Sequence, residues 1–513
     1  MRWKPSAPRK REERVAERLR ASSKFYRFLW EVRHALFEDG FEEVLLESHE
    51  PRGQEPCPPA LLAMVMLLQR YEGLSDARAV DAAENDRRWQ LVLGTLGTDE
   101  APFGQGSLVR FRMRMIANDL DRKLVDRTVE LAKKTGHFGW QKLRASLDSS
   151  PLDGAGRVED TWNLIGRAMS KVAHAVSLAL GVDETEVIKG AKLSVLTADS
   201  VKSALDIDWD DEDARKAALN RLLDQASRLE RWVEKRAGVN AERPPLKGAL
   251  ENMRRVVEQD TEPDPSGGGR KIKDGVAKDR LISIGDPEMR HGRKSKTKRI
   301  DGYKRHIAVA NGFILGTAVE PANVREHEPA PRLLKSVAKH GEIETLDIDR
   351  GYLPSPAVHE LHEKGVNVQS RPWRAVKHRG MYSKEDFRID LHRMLLTCPA
   401  EKVAKIFPSG ATWFDSKDCA QCKKKQRCTT AERRTVQIHP QEHLLIKLRR
   451  RRRTRPGRSE LRKRVVVEHR LARIGWIQGS RAKYTGARKN ELDLNRAAAI
   501  ANLQQIALLK EAA

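Results

Sequence analysis

One β-hairpin constrains the fold of this chain more than any other feature of its sequence. GYKRHIAVA and FILGTAVEP have the composition of strands, and the Asn311-Gly312 dipeptide between them is a strong signal for a tight turn. Two strands joined in this way are antiparallel, so a sheet that contains them cannot be wholly parallel. Shorter strand patterns, LRASLD before the hairpin and IETLDID after it, predict a larger mixed sheet.

Acidic residues stand at the ends of these two shorter strands. The first strand is predicted to end at Asp148, and Asp347 and Asp349 in the second are two residues apart, so in a strand they point to the same face. Asp148 is followed by Ser-Ser-Pro, and an Asp in that setting is more often a turn former or a helix cap than a functional group. The residues alone leave both interpretations open.

Helical patterns dominate two other regions. Residues 1–142 predict an all-helical N-terminal domain, followed by a second domain over residues 143–513. Basic helix pairs in the first domain suit helix-turn-helix DNA binding, and a helical bundle with no DNA role fits them equally well. A helical insertion is expected at about residues 184–270, with no role readable from its sequence, and a Cys-rich, basic insertion at about residues 390–458.

A net charge of +25 and a pI of about 9.9 favour a polyanionic partner, with nucleic acid as the leading candidate. Aromatic residues make up 5% of the chain, which argues against extended base stacking and favours contact with the backbone of double-stranded DNA. The sequence has no apolar run long enough to span a bilayer and no signal-peptide pattern. We therefore expect a cytoplasmic, nucleoid-associated protein without membrane contact.

Four of the five cysteines lie between Cys398 and Cys428. Such clustering in a cytosolic protein indicates a metal site before a disulfide framework. Cys419 and Cys422 form a close C-x-x-C pair, and with the other two thiolates they suit a closed tetrahedral site for structural Zn²⁺. Reduced thiols without metal are an equal alternative, and an iron–sulfur cluster is a third. Cys57 is expected to be buried.

The segment RVVVEHRLARIGWIQGSRAKYTG, which begins at Arg464, places a single carboxylate, Glu468, among cations. The common interpretation is an ion pair with Arg464 or Arg473 on a solvated helix face. The alternative is a metal ligand near DNA phosphate, joined by carboxylates from elsewhere in the chain. An arginine run, residues 449–453, precedes this segment. Such a run is by itself typical of a solvated or disordered stretch, but this one leads into the helix that carries Glu468, which favours contact with phosphate.

The order of these elements favours one fold and one chemistry. Phosphodiester cleavage commonly uses two divalent ions about 4 Å apart, held by a few carboxylates. A strand with Asp148, an antiparallel hairpin, a helix, a strand with Asp349 and a late helix with Glu468 are what a ribonuclease H-like fold would give. The three carboxylates would then meet at one edge of a mixed sheet flanked by helices, in an α/β domain.

At this point the sequence resembles the DDE transposases of bacterial insertion sequences, in particular the group numbered eleven-eighty-two, which has an InsH-type N-terminal domain. The resemblance rests on LDSSPLDGAGRVEDTWNLIGRA, DPEMRHGRKSKTKRIDGYKRH, DRGY from Asp349, and RVVVEHRLARIGWIQGSRAKYTGARKN. PPALLAMVMLLQRYEGLSDARAV is similar to the helical N-terminal domain of the family. Nearly the whole chain is covered.

The resemblance implies that Asp148, Asp349 and Glu468 form a catalytic triad that binds Mg²⁺ or Mn²⁺. Asp349 is preferred over Asp347 because Arg-Gly-Tyr follows it. It also implies a transposase that binds the terminal inverted repeats of its element and catalyses strand cleavage and strand transfer, as a homodimer or larger assembly on DNA. A metal-dependent nuclease that does not join strands, and an inactive DNA-binding regulator, are the alternatives.

The Tyr, Arg, Glu, Lys signature of the family is met in part. Arg464 and Glu468 fit it, while Leu461 and Gly475 stand where Tyr and Lys are expected. The residues that can substitute for the missing contacts are Tyr484, Lys483 and Arg481. The cations expected to bind DNA are Arg290, His291, Arg293, Lys294, Lys296, Lys298, Arg299, Lys304, Arg449, Arg450, Arg451, Arg452, Arg453, Arg464, Arg481 and Lys483.

Overall fold

The computed structural model describes residues 3, 9–19, 21–47, 57–139, 142–294, 297–373, 377 and 380–512. Its N-terminal part is helical, as predicted, with α1 (Lys10–Glu17), α2 (Lys24–Leu36), α3 (Asp39–Leu46), α4 (Pro59–Glu72), α5 (Asp76–Asn85), α6 (Arg87–Leu93), α7 (Gln105–Ala117) and α8 (Leu120–Lys134). Local signals set the helix ends. Gly73 ends α4 in a left-handed conformation, and the Ser75 hydroxyl accepts a hydrogen bond from the Arg78 amide at the start of α5.

The chain after α8 contains both strands and helices. The strands are β1 (Lys142–Asp153), β2 (Thr261–Pro263), β3 (Arg270–Ile272), β4 (Arg290–Arg293), β5 (Arg299–Ala310), β6 (Phe313–Pro321), β7 (Glu342–Ile348), β8 (Asn367–Gln369), β9 (Arg388–Asp390), β10 (Leu395–Thr397), β11 (Val403–Lys405), β12 (Ala411–Trp413) and β13 (Thr435–Gln437). The helices are α9 (Thr161–Leu180), α10 (Glu184–Gly190), α11 (Val201–Leu205), α12 (Glu212–Ala237), α13 (Leu246–Asp260), α14 (Ala330–Ala338), α15 (Pro356–Glu363), α16 (Ser416–Ala420), α17 (Glu442–Arg453), α18 (Arg455–Arg462), α19 (Val465–Gln478) and α20 (Ala487–Ala512). Short 3-10 helices cover Ala21–Ser23, Ser194–Leu196, Gly238–Glu242, Arg350–Tyr352, Lys384–Asp386 and Lys425–Arg427. None of the helices in the described ranges combines the length and apolar character needed to cross a membrane.

One mixed sheet of six strands lies at the centre of the fold. β1 pairs antiparallel with β5 and parallel with β7, and β7 pairs parallel with β8. β4 and β6 pair antiparallel with the other edge of β5. The hairpin predicted at Asn311-Gly312 joins β5 to β6, and both turn residues have positive φ, as a tight hairpin turn requires. The predicted ribonuclease H-like mixed sheet is therefore confirmed.

The first strand, β1, is longer than the sequence indicated. It does not end at Asp148 but continues to Asp153, because residues 149–153 pair with β5 down to Gly302. β7 no longer pairs with β1 after Leu147, so Pro151 lies where β1 has a neighbouring strand on one edge. A proline is tolerated in such an edge position. The Ser-Ser-Pro turn signal was therefore overruled by pairing with β5.

The helices between β1 and β4 have a hydrophobic core of their own. Buried residues of α9, α12 and α13 form it, and Leu281 and Ile284 complete it from the chain that leads back to the sheet. The sequence placed the start of this insertion at about residue 184. Because α9 packs in the same core, this insertion begins earlier, directly after β1. We refer to α9–α13 as the helical body.

The long helix α20 packs against both the N-terminal helices and the sheet. Its Asn502 is 1% exposed. The side chain of Asn502 accepts a hydrogen bond from the Ile314 amide (2.8 Å) and donates to the Ile314 carbonyl (2.8 Å) and the Thr128 hydroxyl (2.9 Å). One polar residue thus connects α8, β6 and α20 across the shared core.

Replacing Asn502 by Ala removes these three hydrogen bonds and leaves the buried amide and carbonyl of Ile314 without partners. Because each unsatisfied buried group costs about 1–3 kcal/mol, we expect Asn502→Ala to lower the unfolding free energy by about 2–5 kcal/mol. Lys510→Ala, which removes an exposed ion pair with Glu31 from the same helix, should change it by less than about 1 kcal/mol. Denaturant titration measures both values, and equal losses would contradict this role of Asn502.

Candidate active site

The pairing of β1 with β7 brings two aspartates together. The last parallel pair joins Leu147 to Ile348, and Asp148 and Asp349 are the next residues of the two segments. Because paired strands lie about 5 Å apart, the two carboxylates emerge side by side at the point where this pairing ends. Asp349 lies at the N-terminus of the short 3-10 helix that follows β7.

The Arg-Gly-Tyr sequence after Asp349 has a structural role. Tyr352 is fully buried, and its hydroxyl lies 2.7 Å from Nδ1 of His306 on β5. Gly351 lies so close to the carboxylate of Glu326 that a β-carbon on residue 351 would overlap it. These contacts fix the turn that carries Asp349.

Helix α19 supplies the third carboxylate. Val467, Leu471 and Ile474 are buried on its inner side, where the helix packs on β1 and β5. Glu468 remains half-exposed and lines the same cavity as the two aspartates. The structure therefore brings together the three residues that the sequence singled out.

Arg464 bridges two of these carboxylates. Its Nη1 lies 3.0 Å from Oδ2 of Asp148, and its Nη2 donates a hydrogen bond of 2.8 Å to Oε1 of Glu468. Burial raises the pKa of Asp148, and the charges of Asp349 and Glu468 act in the same direction, whereas Arg464 lowers it. The ion pair between Arg464 and Glu468 is thus present, and it also offsets part of the repulsion among the three carboxylates.

The donor set fits a hard divalent cation. Each side chain offers carboxylate oxygens, which Mg²⁺ prefers as ligands, and Asp148 and Glu468 already share one positive charge. In the described part of the chain, however, no group of three or more His, Cys, Asp or Glu side chains is arranged to hold a metal ion. The guanidinium of Arg464 lies between Asp148 and Glu468, so it would have to move for these two carboxylates to hold one divalent ion together.

Two basic cavities meet at the carboxylates. One, of about 580 Å³, extends along β4, β5 and α19, and the other, of about 740 Å³, extends along β7, β8 and α18. Asp349, Arg464 and Glu468 line both of them. The further cations are Arg293, Lys294, Lys304 and Arg305 in the first cavity and Arg350, Arg371, Arg452, Arg458 and Arg462 in the second. Such surfaces attract a polyanion from both sides of the carboxylates.

Three of the predicted DNA-binding arginines are turned into the protein instead. Arg290 is buried and donates to the Asp279 carboxylate and to two backbone carbonyls. The arginine run is the C-terminal end of α17, so its side chains point in different directions around the helix. Arg449 pairs with Glu442, Arg451 donates to a carbonyl of β8, and Arg452 reaches the larger cavity. Arg290, Arg449 and Arg451 therefore do not belong to the DNA surface that we propose below.

The other predicted cations differ in their surroundings. His291 lies 2.6 Å from the Asp301 carboxylate, and Arg481 donates to the carbonyls of Gly154 and Ala155. The Tyr484 hydroxyl accepts a hydrogen bond from Arg496. Exposed positions are held by Lys298, Arg299, Arg450, Arg453 and Lys483. Lys296 lies outside the described residues.

Two residues that the sequence did not single out complete the smaller cavity. Arg305 is buried, which lowers its pKa to about 10, and it donates to the Ser150 hydroxyl at 2.8 Å. Its guanidinium lies directly beside Gly475, so a cation is present where the family signature has Lys. Glu326 accepts a hydrogen bond of 3.0 Å from Ser149. Arg305 follows the predicted Lys304, but Glu326 lies in a loop without any periodic signal.

Asp347 has a different role from Asp349. Its side chain is 1% exposed, and Arg144 donates to both of its oxygens, at 2.6 and 2.8 Å. This ion pair joins neighbouring strands, β1 and β7. Asp347 is therefore committed to a structural contact, which supports the choice of Asp349 as the triad residue.

The four clustered cysteines line one small cavity of about 30 Å³. All four are free, half-buried thiols, and burial, together with the charges of the other three, raises the pKa of Cys428. The four thiols share this space, but no group of three or more such side chains in the described ranges has the arrangement of a metal site. Cys57 is half-buried rather than fully buried, and burial raises its pKa to about 11.

Two family models match this chain. Residues 276–503 match the model described as Transposase DDE domain, and residues 13–114 match the one described as Transposase domain (DUF772). The first match contains Asp349 and Glu468, whereas Asp148 precedes it because the helical body separates β1 from the rest of the sheet. No curated protein and no solved structure matched the chain.

His306 provides a test of the packing beneath the site, because burial lowers its pKa to about 3. An unfolded His has a pKa of about 6.5, so between these values the unfolded chain binds more protons than the folded one. The contribution of neutral His306 to stability is therefore complete above pH of about 6.5 and is lost as the pH falls towards 3.

We expect the unfolding free energy of His306→Asn, which cannot titrate, to fall less steeply below pH of about 6.5, by up to about 1.4 kcal/mol per pH unit. Denaturant titrations at a series of pH values measure this slope. His469→Asn, at an exposed position on α19, serves as the control and should follow the unmodified chain. Parallel slopes for all three proteins would show that His306 does not stay neutral in the folded state.

Proposed function

We propose that this chain, which belongs to the DDE transposases of insertion sequences, binds the terminal inverted repeats of its element, cleaves a strand there and joins the freed 3′-hydroxyl to target DNA. The observation that supports this proposal best is the meeting of Asp148, Asp349 and Glu468 between two basic cavities. Assembly as a homodimer or larger oligomer on DNA is part of the same proposal.

In this proposal, Asp148, Asp349 and Glu468 hold divalent ions, Mg²⁺ or Mn²⁺. Such ions activate a water or hydroxyl for attack and stabilise charge on the reacting phosphate. The protein holds one carboxylate on the paired strand β1, one directly after β7 at the start of a 3-10 helix, and one on a helix packed against the same sheet. A rigid framework of this kind keeps ligand oxygens in place while DNA enters.

Arg464 has two successive roles in this proposal. Before DNA binds, its ion pairs neutralise charge on Asp148 and Glu468. When a phosphodiester enters, the guanidinium turns to the phosphate, since Arg forms strong bidentate contacts with phosphate oxygens. Arg464 lines both cavities, so its guanidinium already borders the space that a phosphate would enter.

The cations of the two cavities hold the DNA backbone in this proposal. Arg293, Lys294 and Lys304 stand on one side of the carboxylates, and Arg452 stands on the other. Contacts of this type carry affinity but little sequence information, so they suit element ends and target DNA alike. Recognition of the repeat sequence falls to the N-terminal helices, as the second DNA-binding part of the chain.

We further propose that Cys398, Cys419, Cys422 and Cys428 bind one structural Zn²⁺. Four thiolates are a common ligand set for zinc, and the four residues line one cavity. Lys402 and Arg434 line the same cavity, and their charges would offset that of the thiolates.

Asp349→Asn and Asp347→Asn form a matched pair of variants, because each removes one negative charge from the end of β7 with little change of size. We expect Asp349→Asn to lose at least about a hundredfold in strand cleavage of element-end DNA with Mg²⁺, since it weakens a metal ligand. Asp148→Asn and Glu468→Gln should behave in the same way, while all three variants still bind DNA. Asp347→Asn should keep cleavage within about tenfold of the unmodified chain.

Full cleavage by the Asp148, Asp349 and Glu468 variants would contradict the triad. Loss of cleavage in Asp347→Asn alone, with an unchanged melting temperature that shows the ion pair to Arg144 is not needed for folding, would assign the metal to Asp347 instead. A plasmid target added to the same reactions separates transposition from cutting without joining. Joined products are expected from the unmodified chain, and their absence would indicate a nuclease.

The zinc proposal predicts about one Zn²⁺ per purified chain, measured by mass spectrometry of the metal content. Cys419→Ser should lose the metal and melt at a lower temperature, because a structural zinc site contributes to folding. Cys57→Ser, outside the cluster, should keep the metal. A metal-free chain whose melting temperature is unchanged by Cys419→Ser would contradict the proposal.

A further inference from the structure

Trp476 on α19 is the most exposed large apolar side chain among the described residues, with 85% of its surface accessible. Trp30 and Trp89 of the N-terminal region, by comparison, are 4% and 0% exposed. Apolar surface left in water is unfavourable, and in the described part of the chain no aromatic ring stacks on Trp476. Neither the fold nor the cleavage chemistry accounts for an indole in this position.

The position of Trp476 relates it to the candidate active site. Glu468, Ala472 and Trp476 follow one another at intervals of four residues and are all exposed, so they are neighbours along one side of the helix. Ala472 and Gly475 line the smaller cavity together with the carboxylates, and Trp476 is the next residue beyond them. Trp476 does not line this cavity itself, but it is exposed and directly follows a residue that does.

The spacing along α19 matches a short stretch of nucleic acid. A rise of about 1.5 Å per residue places Trp476 about 12 Å along the helix from Glu468. Since one DNA strand advances about 3.4 Å per nucleotide, this distance corresponds to about three to four nucleotides. Ala472 and Gly475 carry a small side chain or none, so the DNA backbone can approach the helix between the two positions.

We infer that Trp476 stacks on an unpaired base of the bound DNA, about three to four nucleotides from the phosphate held at the carboxylates. This inference rests on the proposed function, because it takes the cavity next to Asp148 as the DNA site. An aromatic side chain stacks on the face of any base once that base is unpaired. DNA is favoured over a second copy of the chain as the covering partner, because Arg293, Lys294 and Arg305 line the adjoining cavity.

Binding to two DNA probes tests this inference. One probe is a duplex with a short unpaired fork at one end, and the other is the same duplex fully paired, both measured by fluorescence anisotropy in EDTA. Trp476→Ala should bind the fork at least about fivefold more weakly than the unmodified chain, because it lacks the stacking contact, and the paired duplex almost equally well. Trp476→Phe should restore most of the affinity, and Leu508→Ala, an exposed apolar control on α20, should change neither.

2-Aminopurine is placed at successive fork positions of the DNA. Its fluorescence should change on binding when it stands at the third or fourth nucleotide from the phosphate at the carboxylates, and this change should be absent with Trp476→Ala. Equal fork binding by the unmodified chain and Trp476→Ala would overturn the inference. So would a self-association, measured by ultracentrifugation without DNA, that Trp476→Ala alone abolishes while fork binding is retained. If the unmodified chain cleaves DNA through the triad in either case, the proposed function stands without this contact.

Discussion

The parallel pairing of β1 with β7 is the interaction on which the site depends. It joins segments that are far apart in sequence, because the whole helical body, β4, the hairpin and α14 lie between them. The ladder stops at Leu147 and Ile348, and the two aspartates follow at once. β5 covers the other edge of β1 and continues beyond this point, so Asp148 is held in a paired strand although β7 has ended.

The second requirement is a balance of charge. Three neighbouring carboxylates repel one another, which is unfavourable without a nearby positive charge. Arg464 supplies that charge: it lies one turn before Glu468 and contacts both Asp148 and Glu468. The same guanidinium stands at the junction of two basic cavities. A counter-charge that stabilises the site without DNA is therefore also well placed to bind the phosphate that enters it, which connects folding to the proposed reaction.

The sequence predicted the sheet because short-range signals mark it, namely the Asn-Gly turn and the strand patterns. The choice of Asp148, Asp349 and Glu468 came from the resemblance to a transposase family, since the residues alone left other roles open. The sequence was wrong about the end of β1, because a Ser-Ser-Pro turn signal is overruled by pairing with β5 far along the chain. It also could not assign directions to the arginines of α17, since the contact of Arg449 with Glu385, a residue outside this helix, follows from tertiary packing. Glu326 carries no local pattern at all and joins the site through Ser149.

The central claim is that Asp148, Asp349 and Glu468 are metal ligands and that Arg464 is their counter-charge in the absence of metal. Anomalous diffraction from crystals of the chain with element-end DNA and Mn²⁺ tests this claim most directly. The account predicts a manganese peak among the three carboxylates and an Arg464 side chain turned away from Asp148 towards a phosphate. Manganese bound elsewhere, with both contacts of Arg464 intact, would contradict it.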